Sequence, residues 1–193
     1  MAHLSKSKRI LAALALTIGV LLNSACPVKL ARSEDTFTNA LLYISRIDKA
    51  VDTFSEVSFQ LYCPDCEQHA LPKAVALQHQ NIAAQINKYE QVAFGVLRSA
   101  YDPATRKFSL TAANRAGIES ALQAIKALTP TGTDASIPSD VSLKLQPLLS
   151  TITGSADRLL ALMSRVKSAV GGSVFEVVLD ARQGAELEAA INP

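Results

Sequence analysis

The sequence predicts an all-α protein: an up-down-up-down helical bundle of about four long helices, with a short fifth helix favoured at the C-terminus. Apolar residues recur at alternating steps of three and four over four long segments, which is the spacing of one buried helix face. Pro64, Pro103, the loop at residues 129–138 and Gly171-Gly172 separate or end those segments. Tryptophan is absent and the chain has only 6 Phe and 4 Tyr, so aliphatic side chains must fill the core of this bundle.

Residues 1–25 have the three parts of an export signal. The first nine residues carry three basic side chains and no acid, residues 10–22 are uncharged, and small residues precede Cys26. The apolar run is shorter than the roughly 20 residues of a membrane-spanning helix. We therefore expect a cleaved secretion signal, with an uncleaved anchor or a buried N-terminal helix as alternatives.

Cys26 is the odd one of three cysteines and stands directly after this signal. Its position resembles that of the lipidated cysteine in a bacterial lipoprotein signal. The two preceding residues are small, as in that signal, but Asn23 stands where an apolar residue is usual. The alternative is ordinary cleavage that leaves Cys26 free or paired with another chain. Residues 26–33 would be a tether or linker, and residues 34–193 a single bundle domain.

Cleavage changes the charge of the chain. The full sequence has 19 basic and 17 acidic residues; three basic residues leave with the signal, so 16 basic and 17 acidic residues remain and the net charge changes from +2 to −1. A nearly neutral domain lacks the basic patch of a nucleic-acid-binding protein. We expect a protein partner or self-association, no nucleic acid, and membrane contact only through a lipid anchor at Cys26.

The first helix is predicted to begin at a cap on Ser33 or Asp35 and to end at Pro64. Its apolar face consists of Phe37, Ala40, Ile44, Ile47, Val51, Phe54, Ser58 and Leu61. The second helix is predicted from about Leu71 to Tyr101. Its face follows the same spacing: Val75, His79, Ile82, Ile86, Tyr89, Ala93, Val96 and Ala100.

Asp102-Pro103 ends the second helix, and a short connector, residues 104–108, leads to a third helix from about 111 to 128. Residues 129–138 contain two prolines and a glycine and form a loop. A fourth helix starts near Ser139, and Pro147 either kinks it or marks its true start.

The C-terminal tail divides into two parts of different character. Residues 174–179 are rich in β-branched side chains and have strand character. No pairing strand is apparent, however, so a short helix is favoured for the tail. The second half of the tail is rich in good helix formers, which supports that choice.

Cys63 and Cys66 form a CxxC in the turn between the first two helices. Export implies an oxidising compartment, so a local disulfide is the favoured interpretation. A thiol-redox site is disfavoured because Cys63 ends a helix, where the dipole opposes a thiolate. Zinc binding is a third possibility, with Cys63, Cys66, His69 and His79 spaced C-x2-C-x2-H-x9-H. That spacing matches no familiar zinc finger.

Few other side chains point to chemistry. His79 is interpreted as a boundary histidine that is hydrogen-bonded to a neighbour, because no Glu-x-x-His pair is present. The acids Asp48, Asp52, Glu56 and Glu90 are interpreted as parts of solvated helix surfaces. Motifs for nucleophilic catalysis, phosphate binding and metalloprotease activity are missing.

These observations predict an exported, non-enzymatic helical protein of the bacterial cell envelope, periplasmic or membrane-anchored. It would act as a structural or interaction module without a cofactor or resident metal. The alternative is a thiol-redox or metal-handling protein that uses Cys63 and Cys66.

Overall fold

Four long helices dominate the computed structural model, which describes residues 34–63, 70–130, 137–170 and 174–191. The prediction of an all-α bundle with four long helices and a short C-terminal helix is confirmed. In the described part of the chain the helices are α1 (Glu34–Tyr62), α2 (Lys73–Ser99), α3 (Ala112–Leu128), α4 (Ser139–Val170) and α5 (Ala181–Ile191). The described strands are β1 (Tyr101–Asp102), β2 (Lys107–Leu110) and β3 (Phe175–Val178).

The four long helices form a closed ring. α1 packs against α2 and α4, and α3 packs against the same two helices. Seven of the eight residues on the predicted face of α1 are buried, and Leu61 is half-buried. This face, with those of α2, α3 and α4, forms the core. Each large apolar side chain that becomes fully buried there stabilises the fold by roughly 1.5–3 kcal/mol.

Helix ends follow local sequence signals. α2 begins directly after Pro72, whose missing N–H costs nothing at a helix start. α3 has a capping box in which the Thr111 hydroxyl accepts from the Asn114 N–H while the Asn114 side chain accepts from the Thr111 N–H. Of the two predicted caps, Ser33 lies outside the described residues, and Asp35 lies inside α1, one position after its first residue.

A three-stranded antiparallel sheet corrects two expectations. The predicted connector, residues 104–108, overlaps β2, and β2 pairs with both β1 and β3. The tail is therefore a strand followed by a helix. The partner of β3 is only four residues long and lies between two helices about 70 residues earlier in the chain, so no local pattern indicated that β3 could pair.

The sheet covers the end of the bundle at which α1 begins. One face of β2 and β3 is buried, and the Phe37 ring of α1 lies 4.0 Å from the Phe108 ring, centroid to centroid. Buried and exposed residues alternate along β3, as expected of a strand that is buried on one face only. The other end of the bundle therefore carries the α1–α2 turn with Cys63.

Arg115 joins α3 to this sheet. Its side chain is 3% exposed, and its guanidinium donates a hydrogen bond of 3.0 Å to the Leu110 carbonyl oxygen. A buried charge requires such polar contacts, because its transfer from water is costly. Arg115 is thus a structural side chain of the core, although its charge alone suggests a surface position.

α4 begins at Ser139, as predicted, and continues through Pro147. The interpretation of Pro147 as the true start is wrong. A proline inside a helix lacks the N–H that would bond the carbonyl four residues earlier. That carbonyl belongs to Leu143, a residue on the solvent-facing side of α4 that is 71% exposed.

None of the described helices has a stretch long and apolar enough to cross a bilayer. The predicted signal at residues 1–25 and the tether at residues 26–33 lie outside the described residues. From Glu34 onward the described elements belong to one compact unit.

Candidate functional site

The turn after α1 holds the first residue of the CxxC. Cys63 has a left-handed backbone (φ 41°), and its N–H donates a hydrogen bond of 3.0 Å to the Phe59 carbonyl. The Leu71 N–H then donates to the Leu61 carbonyl at 3.1 Å, which closes the turn. These contacts fix both ends of the segment that contains the CxxC.

The other predicted partners of Cys63 are not described. Cys66 and His69 lie between residues 64 and 69, and Cys26 lies before α1, all outside the described residues. Both the Cys63–Cys66 disulfide and the lipidation of Cys26 therefore stay predictions. Within the described ranges no group of three His, Cys, Asp or Glu side chains is placed to hold a metal ion.

His79 lies in the interface between α1 and α2. Its ring is 7% exposed, its Nδ1 is 3.0 Å from the Ser58 hydroxyl oxygen, and the Phe54 ring packs against it at 4.9 Å. Burial lowers the pKa of His79 because it penalises the charged imidazolium. His79 is therefore a neutral imidazole at neutral pH, and its Nδ1 is hydrogen-bonded.

A second polar pair lies beside it. The Ser55 hydroxyl donates to Gln80 Oε1 at 2.7 Å, and Gln80 Nε2 donates to the Ser55 carbonyl at 2.7 Å. Directional bonds of this kind select one alignment of two helices, since a slip would leave buried groups unpaired. The two pairs therefore set the antiparallel register of α1 and α2.

The Ser58–His79 pair is not arranged as an accessible nucleophile. A serine activated by histidine needs contact with a substrate carbonyl. Ser58, however, has no exposed surface. In this conformation the pair acts as a hydrogen bond between two helices.

Glu90 is the residue that the sequence argument misplaced. It was interpreted as a surface acid, yet it is 8% exposed. The predicted face of α2 is correct at every second position and one residue off at the positions between them. The buried residues are Ala76, His79, Ala83, Ile86, Glu90, Ala93 and Leu97. Alanines at 76, 83 and 93 were the available signal, but alanine contrasts too weakly with polar neighbours to fix a helix face.

The surroundings of Glu90 are acidic. Burial is the main cause that raises its pKa to about 7, and the charges of Asp48 and Asp52 on α1 raise it further. Asp48 is itself half-buried, and its pKa is raised by burial and by Asp52, against a smaller opposite effect of Lys49. Asp52 and Glu56 are exposed, as expected.

Two features of the described chain thus have chemical character: the Cys63 turn with the nearby Ser58–His79 pair, and the buried Glu90 beside two aspartates. Neither resembles a complete catalytic constellation. Comparison of the chain with family models, with curated proteins and with solved structures finds no match in any of the three.

Proposed function

We propose that this chain is an exported, non-enzymatic protein of the bacterial cell envelope that works as a structural or interaction module, with Cys26 as the site of a lipid anchor. The observation that carries the proposal is the order of features along the chain. The predicted export signal covers residues 1–25, Cys26 follows it directly, and α1 begins eight residues after Cys26, at Glu34. That order suits a folded domain held near a membrane by a short tether.

The use of polar side chains in the core supports a structural role. Ser58 and His79 bond to each other, and Arg115 bonds to a β2 carbonyl. Each contact joins two elements of the fold. An enzyme instead needs titratable or nucleophilic groups directed toward a space that a substrate can enter.

Exposed apolar side chains support an interaction role. Phe59 and Leu77 are both 54% exposed. Phe59 lies one turn beyond Ser55 on α1 and Leu77 one turn before Gln80 on α2, so the Ser55–Gln80 bond places them at the same level of the helix pair. Large apolar side chains exposed at one level of a helix pair are a candidate surface for a protein contact.

Intact mass spectrometry after expression of the full chain in a bacterium tests the proposal. We expect a mass that lacks residues 1–25 and includes a diacylglycerol adduct, with the protein in the membrane fraction. Cys26→Ser should remove the adduct and release the protein. An uncleaved chain in the cytoplasm would refute export, whereas a cleaved, unlipidated chain would refute only the anchor.

The thiol-redox or metal-handling alternative makes a different prediction for Cys63 and Cys66. In that alternative, the Cys63 and Cys66 thiols would be reversibly oxidised and reduced at the potential of a glutathione buffer, or they would retain zinc. Cys63 lies at the C-terminal end of α1, where the helix dipole opposes a thiolate. We therefore expect a pair that stays oxidised in that buffer and binds no metal; ready cycling would favour the alternative.

A further inference from the structure

One exposed surface runs along the contact between α1 and α2. Residues 48, 52, 55 and 59 of α1 follow each other at steps of four and three, as do residues 77, 80, 84 and 87 of α2, so each set lies on one side of its helix. The two hydrogen bonds between Ser55 and Gln80 place the sets side by side. Every one of these residues is exposed or half-exposed. The α1–α2 surface thus consists of Asp48, Asp52, Ser55 and Phe59 with Leu77, Gln80, Ala84 and Asn87.

One end of the α1–α2 surface is apolar. Phe59 and Leu77 are each 54% exposed, and each lies one turn from the Ser55–Gln80 hydrogen bonds. Apolar side chains in water gain free energy when a partner covers them. This end therefore suits an apolar side chain of a binding partner.

The other end of the α1–α2 surface is acidic. Asp52 lies seven residues before Phe59, which is two helix turns or about 10 Å, and Asp48 lies one turn further away. The charge of Asp52 adds to the rise that burial causes in the pKa of Asp48, and Lys49 offsets only part of this rise. Lys88 of α2 forms no ion pair with the described residues. The described chain therefore leaves negative charge at this end without a matching cation.

Two acceptor groups beside these aspartates have no donor among the described residues. Asn87 is half-exposed, but its Oδ1 is buried and accepts no hydrogen bond from them. Glu90, one turn later on α2, is 8% exposed and makes no hydrogen bond or ion pair with them. Its carboxyl oxygens reach solvent, and the charges of Asp48 and Asp52 act on them. Buried acceptors normally have a partner, so a donor from another molecule would complete this end.

An arginine has the donors that the acidic end lacks. Its guanidinium carries five N–H groups in a planar fork, which binds carboxylate and amide oxygens. A metal ion fits less well, because no three His, Cys, Asp or Glu side chains of the described ranges are placed to hold one. An anionic lipid surface would be repelled by the same aspartates.

We propose that the α1–α2 surface binds a basic segment of a partner protein, which places an apolar side chain on Phe59 and Leu77 and an arginine about 10 Å away on Asp48 and Asp52. This deepens the interaction role proposed above and rests on that role alone. It does not depend on export or on Cys26, so an uncleaved chain in the cytoplasm would leave it standing.

Selection from a phage library of random peptides tests the chemistry of the partner. The target is the immobilised chain of residues 26–193, which contains every described element in one compact unit. We expect the enriched peptides to combine arginine or lysine with a large apolar residue and to be poor in Asp and Glu. Enrichment of neutral or acidic peptides, or no enrichment above an empty surface, would overturn the proposal.

Affinities of the enriched peptides, once synthesised, test the surface itself. Asp48→Asn combined with Asp52→Asn should weaken binding about fivefold, since an exposed ion pair contributes up to about that factor. Leu77→Ala should weaken it as well, and binding should fall as sodium chloride is raised to about 0.5 M.

Matched controls come from α4, where Asp140→Asn and Leu143→Ala remove an exposed acid and an exposed apolar side chain. Both controls should leave the affinity unchanged, and urea unfolding checks that every variant is folded. Equal losses in the control and the α1–α2 variants would overturn the proposal.

NMR of the backbone amides separates a peptide from other occupants. Added peptide should shift the resonances of the α1–α2 surface and of Glu90 and leave those of the sheet in place. Calcium chloride that shifts the same resonances and displaces the peptide would identify a metal site instead. A dimer that Phe59→Ala dissociates would identify a second copy as the occupant. Either result would overturn the proposal.

Discussion

The hydrogen bond between Ser58 and His79 joins residues of two helices in a place that water does not reach. Ser58 is fully buried and His79 nearly so. Removing one member of such a pair leaves the other without a partner, and the desolvation cost of a buried polar group then falls on the folded state. The contact therefore matters more for the alignment of α1 and α2 than for chemistry.

We expect Ser58→Ala to lower the free energy of unfolding by about 1–3 kcal/mol, because His79 Nδ1 loses its partner and a small void remains. Urea unfolding measures the effect. Ser45→Ala is the matched control on the exposed side of α1 and should change stability by no more than about 0.5 kcal/mol. Equal effects of the two substitutions would show that the hydrogen bond contributes nothing.

At the scale of one element, α4 contains a proline, a residue that helix geometry disfavours. Pro147 lies inside the helix, eight residues after its start at Ser139. Proline in a helix interior is less favourable than alanine by about 3 kcal/mol in a host helix. α4 tolerates Pro147 because Leu143 lies on the solvent-facing side of the helix and because Leu145 and Leu149, on either side of the proline, are buried in the core.

Pro147→Ala should raise the free energy of unfolding by about 1–3 kcal/mol, since it restores one backbone hydrogen bond and relieves the clash of the proline ring with the preceding turn. A shift of the thermal midpoint to higher temperature would confirm it. Gln146→Ala, at an exposed neighbouring position, controls for helix propensity. A destabilised Pro147→Ala would mean that the packing of α4 depends on the proline ring.

The short helix α5 depends on a cap. Asp180 Oδ1 accepts from the Gln183 N–H at 2.8 Å, and Gln183 Oε1 accepts from the Asp180 N–H at 3.0 Å. A helix of 11 residues is marginal by itself, so this capping box contributes a large share of its stability.

Asp180→Ala should therefore fray α5, with a loss of about 0.5–2 kcal/mol, whereas Asp180→Asn should retain the cap. Hydrogen exchange of the α5 amides distinguishes this local loss from global unfolding. If the α5 amides of both variants exchange at the rates of the unaltered protein, α5 is held by its packing on the turn between β1 and β2. There Gly184 lies close to Tyr101 and Arg106.

For the whole molecule, two buried groups give opposite responses to pH. Glu90 has a pKa raised to about 7, so its contribution is fully present below about 4.5 and is lost as pH rises through 7. His79 has a lowered pKa, so its contribution is present above 6.5 and is lost as pH falls through its folded-state pKa.

We expect these effects to offset each other in part between pH 5 and pH 7. In His79→Gln the unfolding free energy should fall more steeply from pH 5 to pH 7 than in the unaltered protein, because the opposing contribution of histidine is gone. Urea titrations at four pH values check this slope. An unchanged slope would mean that His79 is not titrated differently in the folded and unfolded states.

Structure that depends on residues close together in the sequence could be predicted, whereas structure that depends on distant residues could not. The long helices and the breaks at Asp102-Pro103 and before Ser139 could be predicted because local spacing and turn residues encode them. β3 could not, because a strand is defined by its partner, and β2 is four residues long and distant in sequence. Glu90 could not, because small alanines left the buried face of α2 ambiguous by one position.

The pairing of β2 with β3 has a consequence for the order in which the parts of the chain fold. Its paired residues are separated by 65 (Leu110 to Phe175) to 71 (Lys107 to Val178) positions. A chain made from its N-terminus completes α1 to α4 before β3 exists, so the apolar end around Phe37 and Phe108 stays uncovered until about the last tenth of the sequence emerges. Contacts of such long sequence separation form late and slowly. The sheet is therefore a closing step, and a nascent chain that lacks its final 20 residues is the form most exposed to aggregation.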